Sequence, residues 1–244
     1  MEVRVDGAIL HVEVDGPEDK PALLLWPPGN RTLRVWDHYI PTLSERFHVI
    51  RIDIRGWGES SPAEDPERQY TFEQYTQDAS DVLDHLEIEH CQIWSQSWGT
   101  RPAIVFCAFN PRRVMSAALY AANSDLPDRE AQIAGTERAK AERQRLGIET
   151  MALSDDFMDH KHPEAAKLVA GALRKFDLSS VIDKLTMPVL IGTGAEDPNL
   201  VSSRVIAKTV PNAKLVEFPA VGHNSILEHP TLALQTFLDF QDSL

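Results

Sequence analysis

Residues Cys91 to Asn110 read C-Q-I-W-S-Q-S-W-G-T-R-P-A-I-V-F-C-A-F-N. A short apolar strand runs into S-Q-S-W-G, and an apolar helical stretch follows. The pattern predicts a strand, a very tight turn and a helix, with Ser97 at the apex. It is a near match to G-x-S-x-G, the turn that projects a serine hydroxyl above a sheet edge. The amides behind such a serine open a helix and can stabilise a developing oxyanion. Ser95 stands where the first glycine would be, and its small side chain suits a place where strand and helix pass closely. Gly99 keeps the second glycine.

Two downstream segments give the serine its context. Met187 to Asp197 reads M-P-V-L-I-G-T-G-A-E-D: a buried strand, a glycine turn, then an acid. Leu215 to Asn224 reads L-V-E-F-P-A-V-G-H-N: another strand, a glycine, then a histidine. Ser97, Asp197 and His223 thus follow one another with gaps of 100 and 26 residues. Each sits just after a predicted strand, where the loops of a parallel sheet gather and build sites. A neutral serine is a weak nucleophile. It needs a histidine to take its proton and a carboxylate to orient the imidazole and stabilise its cation.

Upstream, Ala22 to Asn30 reads A-L-L-L-W-P-P-G-N, a buried strand and a proline-glycine loop. Val49 to Ser60 reads V-I-R-I-D-I-R-G-W-G-E-S, which carries D-x-R-G-x-G-x-S. With these motifs and the Ser…Asp…His order, the chain resembles the α/β-hydrolase fold family, in its small, cap-bearing esterase and lactonase members. The resemblance covers nearly all of the chain outside 125–186. It implies a mostly parallel, doubly wound α/β sheet. It also implies Ser97, Asp197 and His223 as the catalytic residues, with an oxyanion hole made by the backbone amides of Asn30 and Trp98. Pro28 replaces the family's usual histidine ahead of Gly29. The resemblance further implies a hydrolase that needs no cofactor and no metal and that cleaves a small carboxylic ester or lactone through an acyl-enzyme on Ser97. Alternatives are hydrolysis of a carbon–carbon bond or an aminopeptidase activity by the same triad; S-W-G also resembles proline iminopeptidases. A slow-turnover small-molecule binding or sensor protein is the alternative from another class.

Composition sets the bounds. The chain has 244 residues, 43% of them hydrophobic, enough for one α/β domain with a sizeable core. A net charge of −13 argues against nucleic acid as a partner, because phosphate binding needs a basic face, and it gives no basic patch for an anionic membrane. The expected partner is a small-molecule substrate. Cys91 and Cys107 are the two cysteines, expected as buried thiols and not as a disulfide. No run reaches transmembrane length, and the N-terminus has no apolar leader, so the expected compartment is the cytoplasm.

Period and punctuation predict the remaining elements. A hairpin turns at Asp6-Gly7, strands cover Ala22 to Trp26, His48 to Asp53 and Val114 to Ala121, and helices cover Trp36 to Ser44 and Thr71 to Leu86. From Asp125 to Thr186 the strand signal stops and charged helical patterns take over. We expect an α/β core of 1–124 and 187–244 with a helical cap inserted at 125–186, whose last helix returns to the core. Ile133, Met151, Phe157 and Met158 are its candidate pocket residues.

The site residues have rivals in the sequence. Ser95 competes with Ser97, Glu196 and Asp125 with Asp197, and His229 with His223, although His229 is expected to face solvent. His160 and His162 are expected in a solvated charged segment. Asp53 and Arg55 suit an ion pair or turn hydrogen bonds. Arg101, one turn beyond Ser97, is expected to face solvent or join a salt bridge more readily than to bind a substrate carboxylate.

Overall fold

The computed structural model describes residues 1–244. Eight strands form one sheet: β1 (Glu2–Val5), β2 (Ala8–Asp15), β3 (Ala22–Trp26), β4 (His48–Ile52), β5 (Cys91–Gln96), β6 (Val114–Tyr120), β7 (Val189–Gly194) and β8 (Ala213–Phe218). Their spatial order is β1-β2-β4-β3-β5-β6-β7-β8. β1 pairs antiparallel with β2, and β2 with β4. From β4 to β8 every neighbouring pair is parallel.

The middle strands are apolar without alternation because both faces of the sheet are covered. The period of two instead assigns alternate residues to two cores. Leu24, Ile93, Ala117, Leu119, Val189 and Ile191 enter one core, which packs under the helices Phe72–His85 and Thr100–Phe109. Leu23, Leu25, Trp94, Ala118, Tyr120 and Leu190 enter the other, under the C-terminal helix Pro230–Asp242. Trp94 stacks on Phe237 there, with ring centroids 4.5 Å apart and planes 4° from parallel.

The chain runs from β3 outward to β4, then crosses back over β3 to β5. The strand order therefore reverses between β3 and β5, and the loops leaving them diverge. This is the crevice where open α/β sheets place ligands. The loop after β3 carries Pro28, Gly29 and Asn30, and the turn after β5 carries Ser97.

Between β6 and β7 the chain forms helices and turns only. The helix Arg129–Leu146 opens on Asp128, whose side chain accepts the Ala131 amide, and closes on Gly147 in the left-handed region. Two expected helices differ. Trp36 to Ser44 divides into a 3₁₀ segment, Leu33–Tyr39, and a single turn, Ile40–Leu43. Pro41 lacks the amide that an unbroken helix would offer to Asp37, whose carbonyl takes the Ile40 amide instead. The stretch Pro163 to Phe176, one of the charged helical patterns of the expected cap, is helical only over Pro163–Val169. It then tightens into a 3₁₀ segment containing Gly171, a poor helix former, and reaches β7 through short turns and not through a returning helix.

Candidate active site

Ser97 lies at the apex between β5 and the helix Thr100–Phe109, with φ of 55°. A non-glycine residue is rare in that left-handed region, and surrounding structure must hold it there. Here the Thr100 hydroxyl donates to the Ser97 carbonyl at 2.7 Å. Gly99 is required by close approach, because a Cβ there would stand 2.3 Å from the Pro27 carbonyl oxygen. Ser95 is buried in the sheet edge, its hydroxyl 3.4 Å from the Ala118 carbonyl.

The Ser97 hydroxyl oxygen is 2.7 Å from His223 Nε2. His223 Nδ1 lies 3.0 Å and 3.2 Å from the two Asp197 carboxylate oxygens. A carboxylate only accepts, so Nδ1 must carry the proton, and Nε2 is then the acceptor for the serine hydroxyl. The Asp197 side chain has no solvent exposure, and its Oδ1 also accepts the Asn199 amide at 3.0 Å. Its rivals lie elsewhere. Glu196 pairs with Arg138 at 2.9 Å, and Asp125 meets the Arg101 guanidinium through its backbone carbonyl.

His223 stands on a loop gripped from two sides. From the core, the Gln96 side-chain amide donates to the His223 carbonyl at 2.8 Å and accepts the Ser225 hydroxyl at 2.8 Å. From the other side, Glu228 accepts the Gly222 amide at 2.8 Å, the Asn224 amide at 2.9 Å and the Thr136 hydroxyl at 3.0 Å. Arg143 pairs with Glu228 and donates to the Ala220 carbonyl at 2.9 Å. Thr136 and Arg143 belong to the helix Arg129–Leu146, so the segment between β6 and β7 reaches the histidine loop directly. The fit is close: a Cβ on Gly222 would stand 2.6 Å from Thr136 Cα.

Asn30 has φ of 55°, and its amide donates to no other backbone or side-chain group. The Trp98 amide opens a helical turn, where no intrahelical acceptor exists. Both residues line the same cavity as Ser97. His160, expected in a solvated segment, is half-buried and ties this loop down. Its Nδ1 accepts the Gly58 amide at 2.9 Å, which leaves Nε2 to donate to Asn30 Oδ1 at 3.1 Å. Asp53 accepts the Leu33 and Glu59 amides, and Arg55 forms a buried ion pair with Asp78. His229, expected to face solvent, is only partly exposed. It is half-buried ahead of Pro230, where the C-terminal helix starts, and burial lowers its pKa.

The cavity above Ser97 measures about 750 Å³, and only six of its 22 lining residues are hydrophobic. Trp57 and Trp98 form one wall, their ring centroids 4.7 Å apart. Of the four apolar candidates from 125–186, Ile133 alone reaches the cavity. Phe157 and Met151 pack against the core under the C-terminal helix, and Met158 is exposed. Most of the other lining residues are polar, with Arg31, Arg101, Asn123, Gln132 and Asn199 among them. Nowhere in the chain do three His, Cys, Asp or Glu side chains converge in a way that would hold a metal ion.

Comparison with known proteins extends this geometry. The chain is 25% identical over 248 residues to a 2-hydroxy-6-oxononadienedioate/2-hydroxy-6-oxononatrienedioate hydrolase of Cupriavidus pinatubonensis, covering 90% of this chain and 83% of that one. It is 23% identical over 257 residues to 3-oxoadipate enol-lactonase 1 of Acinetobacter baylyi, covering 98% and 95%. The crystal structure of the enol-lactonase from Burkholderia xenovorans superposes with a TM-score of 0.82 at 23% identity, covering 99% of this chain and all of that one. The sequence profile of the alpha/beta hydrolase fold matches residues 21–230, a span that holds the parallel sheet, the serine turn and the acid and histidine loops, and the chain therefore belongs to the alpha/beta hydrolase family.

Proposed function

We propose that this chain is a serine hydrolase that cleaves a small carboxylic ester or lactone through an acyl-enzyme on Ser97. The observation that carries the reading is the line Ser97 Oγ, His223 and Asp197, with contacts of 2.7 Å and 3.0 Å. Ser97 Oγ attacks the substrate carbonyl while its proton passes to His223 Nε2. Asp197 holds the imidazole in the accepting tautomer and stabilises the cation that forms. The carbonyl oxygen becomes an oxyanion facing the Asn30 and Trp98 amides, and losing one such donor typically costs about 3 kcal/mol of transition-state stabilisation. The carbon–oxygen bond to the leaving alkoxide then breaks, and His223 returns the proton to that oxygen. In a lactone the leaving hydroxyl stays on the same molecule. A water molecule attacks the acyl-enzyme by the same route, giving one proton to His223, and the product acid departs as Ser97 recovers its own. The residues 125–186 act as a cap that roofs the site and sets substrate choice. The two unpaired buried thiols, Cys91 and Cys107, suit a reducing cytoplasm.

A second reading, hydrolysis of a carbon–carbon bond in an oxo-acid by the same triad, is favoured by the relative named for 2-hydroxy-6-oxononadienedioate. One experiment tests both. Labelling with a fluorophosphonate and peptide mapping should place the adduct on Ser97, and a screen of short esters, lactones and diketones should show turnover of the first two. Labelling on Ser95 or no labelling of folded protein overturns the mechanism, and turnover of diketones alone selects the second reading.

A further inference from the structure

Four arginines of this chain are buried: Arg51, Arg55, Arg101 and Arg143. Three are neutralised by carboxylates. Arg51 pairs with Glu13, Asp15 and Asp37, Arg55 with Asp78, and Arg143 with Glu228. Arg101 is the exception. It is 5% exposed, its Nη2 donates to the backbone carbonyl of Asp125, and no carboxylate lies within ion-pair distance of its guanidinium. Burial brings its pKa down to about 10, with the more distant Asp125 charge offsetting part of that effect. It therefore stays cationic at neutral pH. A charge held out of water without a partner is a standing cost to the fold. Such a charge marks a place where a ligand supplies the counter-ion.

Its position says which ligand. Arg101 is one turn along the helix from Ser97, and both line the same cavity. The rest of that lining leans the same way. Arg31, Arg129 and Lys167 add three cations, and Glu137 is the one acid among them. Arg31 and Arg129 have no carboxylate partner, and Lys167 has Glu164 at 2.9 Å. This is a cationic pocket in a chain of net charge −13. The overall charge would repel an anion, so the local reversal selects for one. A single buried guanidinium, planar and forked, with one nitrogen already bonded to a carbonyl, matches a carboxylate.

We propose that Arg101 anchors an ionised carboxylate of the substrate, so that the site takes a short ester or lactone carrying a second acid group near the reacting carbonyl. This rests on the reading of Ser97 as the nucleophile. The fold has already removed most of the water from Arg101, so a bound carboxylate adds little to that cost, and it neutralises the one buried cation of the cavity. It also fixes which carbonyl of the substrate stands over Ser97.

The test compares two esters with one leaving group: mono-4-nitrophenyl glutarate, which is anionic, and 4-nitrophenyl pentanoate, which is neutral and has the same chain length. The expected result is a wild-type kcat/KM at least tenfold higher for the glutarate, carried mainly by KM. Arg101→Gln should reduce that ratio at least tenfold, and Arg101→Lys should keep part of it. Equal loss on both esters in a folded Arg101→Gln protein would make Arg101 a structural residue and overturn the proposal. Should the glutamine variant not fold, the wild-type ratio and the lysine variant decide, and a wild-type enzyme that prefers the neutral ester overturns the proposal by itself. Fluorophosphonate labelling of the wild type separates the two levels. Labelled Ser97 without anionic preference overturns this proposal alone, and folded but unlabelled protein overturns the nucleophile and this proposal together.

Discussion

Arg143 and Glu228 form an ion pair buried beneath the loop that carries His223. The Glu228 carboxylate accepts the amides of Gly222 and Asn224, the residues on either side of the histidine, and Arg143 neutralises that carboxylate from the helix Arg129–Leu146. A segment outside the parallel sheet thus holds the histidine loop in place. Removing one partner of a buried pair leaves an uncompensated charge, which typically costs about 3–5 kcal/mol. Arg143→Met should therefore lose stability of that order in urea denaturation. Arg143→Met combined with Glu228→Gln should recover part of it, because the orphaned charge is gone. In both, kcat should fall more than KM changes, since the group displaced is the imidazole. A single variant within about 0.5 kcal/mol of wild type would mean that the pair does not hold the loop.

Asp197 and Glu196 are adjacent acids with opposite surroundings. Asp197 faces His223 Nδ1 at 3.0 Å, whereas Glu196 faces Arg138 at the surface. Asp197→Asn can present its amide to Nδ1, which imposes the tautomer with the proton on Nε2 and leaves no acceptor for the serine hydroxyl. A loss of about 10⁴-fold in kcat is expected, as for other triads put into the wrong tautomer. Glu196→Gln should stay within about 0.5 kcal/mol in stability and close to wild type in kcat. Comparable losses in the two variants would contradict the assignment of the acid to Asp197.

Gln96 spends both ends of its side chain on the histidine loop. Gln96→Leu would strand the His223 carbonyl and the Ser225 hydroxyl without partners in a buried setting. The expected cost is about 1–3 kcal/mol in stability, together with a lower kcat. A melting curve and a kinetic comparison on one ester check this. Unchanged kcat with the full loss of stability would show that Gln96 braces the fold and not the imidazole.

The three side chains that the structure brings together, Ser97, Asp197 and His223, could be picked out because each follows a strand with a local signature: small residues around a turn, or a glycine ahead of a loop. The strands were legible from their apolar runs, and the hairpin from Asp6-Gly7. The groups that hold the site were not. Gln96 and His223 are 127 residues apart, Arg143 and Glu228 are 85, and Gly58 and His160 are 102. Each joins segments far apart in the sequence, and no periodicity announces it. A buried glutamine at the end of a strand was the one available signal. The apolar residues of 125–186 misled for a related reason. Phe157 and Met151 satisfy the core under the C-terminal helix, and of the four apolar candidates only Ile133 is carried to the cavity, whose other lining residues are mostly polar. Arg101 is the sharpest case, since its isolation from carboxylates is a property of three-dimensional packing alone.

His160 yields the prediction with a pH sign. Its two hydrogen bonds require a neutral ring, with Nδ1 accepting from Gly58 and Nε2 donating to Asn30. Protonation turns Nδ1 into a donor facing another donor, and the Gly58 bond is lost. Burial lowers the folded-state pKa below the ordinary 6.5. The contact with Asn30 and the Asp159 charge oppose that shift, and the Arg31 charge adds to it. A lowered pKa means that the unfolded chain binds the proton first. The contribution of His160 to stability is therefore fully present above 6.5 and is lost as pH falls from there toward the lowered folded value. His160→Gln removes the titration while keeping a donor and an acceptor on the side chain. Melting temperatures of the two proteins, measured from about pH 8 to about pH 5, should show wild type losing ground to the variant only below 6.5, because all other titrations are common to both. The same acid range should bring a lower kcat in wild type relative to the variant, since Asn30 carries one of the two amides assigned to the oxyanion. A difference in melting temperature that stays constant across the range would mean that the ring is not the titrating anchor of this loop.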